Sequence, residues 1–341
     1  MKGKVFITGV TGQDGAYLAK LLMDKDWDVV GGFRRGSSDK TWRLRELGIE
    51  SDLRLVDYSI GQGQQLSQLL AREQFDKIYH LAGESFTASS FEHPTLTLSS
   101  NIFGAVEILE ATLASSRDTT ILLAGSSEVF GNTSESLGTN KVHELSKMLP
   151  TNPYGVSHLA INSLARIYRE VYGLAVVVPI LFNHESPLRG ASFLTRKISL
   201  GISLLSATDA APIQLGNLDA TRDWGCAQEY VRAMEELVSS DTSGDFVFAT
   251  GSLSSVRDVL TIASLAAGFD PGYIGEGIDE HCIDQSSGQV LAQVNSKFFR
   301  THDTLPNAGD TSKLKNEIGW QPNRPLNEIV SEMVVADIRR L

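Results

Sequence analysis

The chain has 341 residues, 42% of them hydrophobic, and a formal charge of -11 at pH 7, which is enough apolar material for one large core or two moderate ones. The acidic balance disfavours non-specific nucleic-acid binding, so an anionic ligand has to be met by a local cluster of Arg and Lys. The longest apolar run, 174–182, is broken by Pro179 and is far shorter than the roughly 20 residues of a spanning helix; with no leader-like apolar region and two unpatterned cysteines, Cys226 and Cys282, the expectation is a cytoplasmic protein with no membrane segment, disulfide framework or bound metal.

Strands are predicted at 5–8, 29–33, 53–56, 77–81 and 120–124, and helices between them at 16–24, 66–73 and 103–114. Another helix follows Pro153 to about residue 172 and leads into a buried strand at 175–182. This alternation predicts an α/β fold, a doubly wound parallel sheet with helices on both faces. After residue 182 the rhythm gives way to Gly-, Ser- and Pro-containing loops, so 1–182 reads as a nucleotide-binding domain and 183–341 as mainly a smaller mixed α/β lobe that covers the substrate. The run 246–250 reads as a strand, so segments near 222–250 are expected to return to the main sheet. The chain carries no internal repeat and no low-complexity tract.

The first strand opens into Gly9-Val10-Thr11-Gly12-Gln13-Asp14-Gly15 and then a helix. Glycines in a strand–turn–helix allow a tight turn and bring the backbone close to a pyrophosphate on the helix N-terminus. The second strand exits into Phe33-Arg34-Arg35-Gly36, where arginines suit the 2′-phosphate of NADP; the acidic Asp28 sits at that strand's entry. Asp57, followed by Tyr58, ends the third strand in position to touch the adenine.

A catalytic constellation follows. The fifth strand ends in Gly125-Ser126-Ser127-Glu128, at the sheet edge where ligands lie, and Tyr154 and His158 share one face of the next helix. A tyrosinate can take a sugar hydroxyl proton while the carbon passes hydride to a nicotinamide. Ser126 can hold that oxygen, and Glu128 can exchange protons elsewhere on the ring.

At this point the chain resembles the GDP-mannose 4,6-dehydratase family of the extended short-chain dehydrogenases, whose core is a Rossmann sheet. The likeness rests on Thr8-Gly9-Val10-Thr11-Gly12-Gln13-Asp14-Gly15, Leu181-Phe182-Asn183-His184-Glu185-Ser186-Pro187, Thr195-Arg196-Lys197-Ile198-Ser199, Gly216-Asn217-Leu218-Asp219-Ala220 and Arg222-Asp223-Trp224-Gly225. The resemblance implies catalytic positions at Ser126, Glu128 and Tyr154, with His158 beside them. It implies cofactor contacts at Arg34, Arg35, Ser37, His184 and Arg189, to which Leu81, Ala82 and Ser85 are added at the fourth strand's exit. Asn183, Leu194, Lys197, Gly216, Arg222 and Arg300 would surround the nucleotide diphosphate, and Ser85 and Ser126 would touch the sugar. It further implies NADP, a GDP-sugar substrate, loss of water across C5 and C6 in an internal redox cycle, and a homo-oligomer of two or four subunits.

The chain also departs from that family. His158 stands where the pattern Tyr-x-x-x-Lys places lysine, and an unperturbed imidazole is only roughly a quarter protonated at pH 7. Glu84 and Phe86 replace a usual Gln and His, Cys226 a usual His, and Thr301-His302-Asp303 a Pro-x-Glu pattern. Three readings stay open: a GDP-sugar 4,6-dehydratase, a GDP-sugar epimerase or reductase of the same superfamily, and a catalytically impaired nucleotide-sugar-binding relative.

Overall fold

The computed structural model describes residues 2–36, 39–115, 118–133, 141–298 and 306–341. These divide into two compact units: one of 1–182, 227–248 and 310–321, the other of 183–226, 249–309 and 322–341.

The first unit is built on an eight-stranded sheet whose pairings are all parallel. Its strands are β1 (Lys4–Thr8), β2 (Asp28–Phe33), β3 (Arg54–Asp57), β4 (Lys77–His80), β5 (Thr120–Leu123), β6 (Gly125–Ser126), β7 (Val176–Leu181) and β8 (Gly244–Phe248). The order is β8-β7-β5-β4-β1-β2-β3, with β6 beside β7. Chain direction across the sheet reverses between β1 and β4, and that switch point is where open α/β sheets take ligands, at the carboxyl ends of the strands. The inner strands read as continuous buried runs because helices cover both faces; every residue of β7 is buried. Pro179 in β7 has no N–H, and it coincides with the gap between β5 and β6. Gly125, which opens β6, permits the close approach, since a Cβ there would lie 2.8 Å from the Pro179 carbonyl oxygen. Ser126 ends β6 and Glu128 lies in the short helical turn that follows.

Helices α1 (Gln13–Asp24), α2 (Gly63–Glu73), α3 (Gly104–Ser115), α4 (Pro153–Tyr172), α5 (Ala227–Ser239) and α6 (Ser312–Ile318) belong to the same unit. Packed core side chains include Phe6, Leu66, Ile78, Ile108, Ile121, Ile161 and Val178. At the β8 edge, Tyr230 of α5 meets Phe248 and Trp320 edge-on, 5.9 and 5.7 Å between ring centres, which ties residues 310–321 to this unit. The prediction of a helix at 103–114 missed what precedes α3: two short helical turns and one π-helical turn, Ser99–Phe103. Such a turn follows no simple period in sequence.

The second unit has its own core, with Ile198, Ile202, Val259, Leu260, Leu291 and Val334 in it. Helices Leu194–Ala207, Val256–Ala266 and Leu326–Arg340 pack with a four-stranded mixed sheet in the order Ile213–Leu215, Val290–Val294, His281–Asp284, Pro271–Ile274. Asn183–Glu185 pairs in parallel with Trp224–Cys226. Asp223 sits buried at the centre of a knot, accepting from Thr250 N and Oγ1, Gly251 N and Gly309 N. Burial raises its carboxyl above the ordinary range, against the pull of those bonds.

Candidate active site

In the first unit the glycine turn is shaped by contact as much as by conformation. Gly9 has φ +69 and would put a Cβ 2.8 Å from the Ala82 amide; at Gly15 a Cβ would lie 2.4 Å from the Gly9 carbonyl oxygen. The turn is therefore pressed against Leu81 and Ala82 at the end of β4. Leu81 N donates to Thr8 O, and Ala82 N donates to Thr8 Oγ1. Thr8 Oγ1 also meets Nδ1 of the buried His80 at 2.9 Å. Gly12 precedes α1 without a side-chain cap, so the helix N-terminus is left with backbone N–H groups that suit an anion. Gln13 is buried and donates to Asp14; Thr11 gives its carbonyl to the Arg43 guanidinium at 3.0 Å.

Arg34 and Arg35 leave β2 into solvent, and Arg35 lies 3.8 Å from Asp57, both side chains being exposed. An exposed pair of this kind contributes little and yields readily to a phosphate. Ser37 lies outside the described residues. Tyr58 is buried, its ring packs edge-on against Phe6, and its amide donates to Phe33 O. The Tyr58 side chain belongs to the core of this unit. Ser85 is exposed on the turn after β4.

Beyond this turn lies the cluster around α4. The helix starts at Asn152, whose Oδ1 accepts from Gly155 N at 2.8 Å, has Pro153 in its first turn, and stops at Gly173 with φ 70. It packs on the segment from Gly125 to Val129. Gly155 permits that approach, since a Cβ there would lie 2.5 Å from the Glu128 carbonyl oxygen. Ser126, Glu128, Tyr154 and His158 are thereby gathered at one end of α4. Ser126 is buried and accepts from Glu128 N at 3.3 Å; Glu128 is half-buried and takes a 2.7 Å hydrogen bond from Asn152 Nδ2. The Tyr154 and His158 rings meet edge-on, 4.5 Å between centres.

His158 is the anomaly of the cluster. It is 7% exposed, and neither ring nitrogen finds a hydrogen-bond partner among the described residues. Burial pushes the imidazole down to about 4, against an opposing hydrogen-bonding pull from the Ala124 backbone. Two orphaned buried nitrogens are costly unless a ligand meets them. A dinucleotide fits here: a glycine cradle at a helix N-terminus, exposed arginines at the exit of β2, and an unsatisfied polar side chain beside the tyrosine.

Several participants carried little signal in the sequence. Asn101, on the π-helical turn, is buried; it accepts from Glu84 N, donates to Glu84 O and Ser157 Oγ, and so holds the Glu84 turn to α4. Its partners are distant in sequence, which left nothing to read. Asn152 is different, because Asn directly before Pro at the start of an amphipathic run is a readable N-cap.

In the second unit Asn183 and His184 lie on the short strand Asn183–Glu185, His184 buried. Arg189 stacks on Phe193 at 3.7 Å and pairs with the buried Glu185 at 3.2 Å, an electrostatic contact without hydrogen-bond geometry at Nε. Its charge is thus partly spent inside the unit. Leu194 opens its helix; one turn on, Lys197 donates to the Gln214 carbonyl at 2.5 Å and lies over the Phe298 ring, with burial lowering its pKa. Gly216 is obligatory, since a Cβ would come within 2.3 Å of the Phe298 carbonyl oxygen. Arg222 donates to Thr221 O at 2.7 Å. Arg300 and the stretch 301–303 lie outside the described residues. Cys226 is buried, with Arg324 Nη1 3.7 Å from its sulfur. Among the described residues, no cluster of His, Cys, Asp and Glu could hold a metal ion, and no helix is long and apolar enough to cross a membrane.

A family model described as GDP-mannose 4,6 dehydratase matches residues 6–333. GDP-mannose 4,6-dehydratase of Sinorhizobium fredii is 36% identical over 98% of this chain and 96% of its own length. The GDP-mannose 4,6-dehydratase sdnI of Sordaria araneosa is 36% identical over 98% of this chain, which spans only 60% of that longer relative. Among solved structures, RMD from Pseudomonas aeruginosa complexed with NADPH superposes with a TM-score of 0.76 at 21% identity, over 99% of this chain and 100% of that one. At that identity the likeness shows the fold alone.

Proposed function

Because the chain belongs to the GDP-mannose 4,6-dehydratase family, we propose that it is an NADP-dependent dehydratase that converts GDP-mannose, or a related GDP-hexose or GDP-heptose, to the 4-keto-6-deoxy sugar. The observation that carries the reading is the gathering of Ser126, Glu128 and Tyr154 around the start of α4, beside the buried His158.

Gly9, Gly12 and Gly15 would hold the pyrophosphate and Arg34 and Arg35 the 2′-phosphate. RMD, complexed with NADPH, shares the fold, and no acid stands at the exit of β2 to favour NAD. A bound nicotinamide supplies a hydride acceptor at C4 and a hydride donor at C6. Tyr154 takes the C4 hydroxyl proton while Ser126 hydrogen-bonds that oxygen. With C4 a ketone, the C5 hydrogen is acidic; Glu128 removes it and hands a proton to the C6 hydroxyl, which leaves as water. The proton held by Tyr154 returns, directly or through Glu128, to C5 as C6 is reduced. Every electron pair and proton is then accounted for without net use of cofactor.

His158 would spend its free nitrogens on the nicotinamide ribose. A neutral imidazole gives Tyr154 none of the electrostatic help of a lysine, which predicts slow turnover near neutral pH. This same feature favours the impaired relative as the second reading.

Lys197 and Arg222 would meet the nucleotide diphosphate. Phe91, Leu96 and Phe103 expose apolar side chains on successive helical turns, which supports a homo-oligomer, and two buried cysteines outside any disulfide, Cys226 and Cys282, suit a reducing compartment. Incubation with a panel of GDP-hexoses and GDP-heptoses, read by mass spectrometry, tests the reading. Loss of one water without net NADPH consumption is expected. Stoichiometric NADPH consumption with no loss of water would sink the dehydratase and favour a reductase.

A further inference from the structure

Asn152 joins the two acid–base groups of the site. The residue is 6% exposed, so both ends of its amide need partners. Oδ1 accepts the Gly155 N–H that caps α4 at 2.8 Å, which fixes the amide's orientation and leaves Nδ2 to donate to Glu128 Oε2 at 2.7 Å. The bond uses one carboxylate oxygen and leaves Oε1 for the substrate. The Glu128 main chain is held against the same turn, because its carbonyl oxygen sits where a Gly155 Cβ would be. One residue therefore fixes the Glu128 carboxylate relative to the helix start that carries Tyr154.

We propose that Asn152 is a positioning residue for Glu128: its amide holds the carboxylate in register with Tyr154, so that removal of the C5 hydrogen can follow oxidation at C4 without rearrangement. The inference rests on the role of Glu128 given above. A displacement of about 1 Å is enough to cost on the order of a hundredfold in rate, and one rotation of an unheld glutamate moves its oxygens further than that.

The test uses the full chain with NADP and GDP-mannose and two variants that keep a helix cap. Asn152→Asp preserves shape and cap but replaces the donor with a second carboxylate; Asn152→Ser caps α4 but is too short to reach Glu128. Both are expected to lose about 10- to 100-fold in kcat and in deuterium exchange at C5, with KM, cofactor affinity and melting temperature near those of the parent. Reduced nicotinamide, read by its absorbance, should accumulate on the variants, because the Tyr154 step still runs while elimination stalls. Parent-like kcat and C5 exchange in both variants would overturn the proposal. So would a loss of kcat that tracks a parallel loss of cofactor affinity and melting temperature, since that is what capping alone predicts. Glu128→Gln separates the two claims. If it still dehydrates the sugar, the role of Glu128 fails and the inference with it; if it is inactive while both Asn152 variants behave as the parent, only the inference fails.

Discussion

At the scale of single residues, burial decides the chemistry. His158 and His80 are both held near pKa 4, against 6.5 for a free imidazole, because desolvation penalises the cation. The folded pKa is depressed, so as pH falls the unfolded chain takes up protons first. Stability from each ring is complete above about pH 6.5, falls between about 6.5 and 4, and is level below. Each ring accounts for roughly 3 kcal/mol over that window. Urea unfolding of the cofactor-free protein should show the fall; a flat profile would place the rings in water. For catalysis, a neutral His158 predicts that His158→Lys raises kcat near pH 7 by about tenfold and moves the rising limb of the pH–rate profile to lower pH by about one unit. An unchanged profile would show that the histidine does not limit tyrosine activation. The sequence exposed the substitution at 158. It could not show that the ring is buried, since that depends on what packs around α4.

Among elements, two close approaches are decisive. The glycine turn presses α1 onto the end of β1, so Gly15→Ala has to move backbone, not a flexible side chain. We expect it to destabilise the protein by about 1–3 kcal/mol and to weaken NADP binding by more than tenfold, measured by chemical unfolding and titration; parent-like values in both would show that the turn can give. The long helix was legible from Asn152, Pro153 and Gly173, which mark its ends, and from the apolar spacing of Ile161, Ala165 and Tyr168. The strands of the parallel sheet were legible for a similar reason, as short β-branched runs between helical patterns. The π-helical turn at Ser99–Phe103 and the Asn101 clamp were not legible. A single residue whose partners lie at 84 and 157 leaves no period behind.

Over the whole molecule, the proposed reaction balances within one active site. Turnover of GDP-mannose should therefore proceed with catalytic NADP, and substrate labelled with deuterium at C4 should yield product with the label at C6; label lost to NADPH in solution would contradict the internal cycle. The sequence by itself determined the class of the sheet, because strand and helix periodicities are local and alternate along the chain. It also determined the family, through motifs at Gly9–Gly15, at 181–187 and at 222–225. Only the tertiary structure decided that Tyr58 serves the core, that Arg189 is partly neutralised by Glu185, and that Asn152 joins Glu128 to the start of α4. The physical reason is the same in each case. Charge, burial and hydrogen-bond satisfaction depend on neighbours brought together by folding, and a residue's type alone records only what it could do.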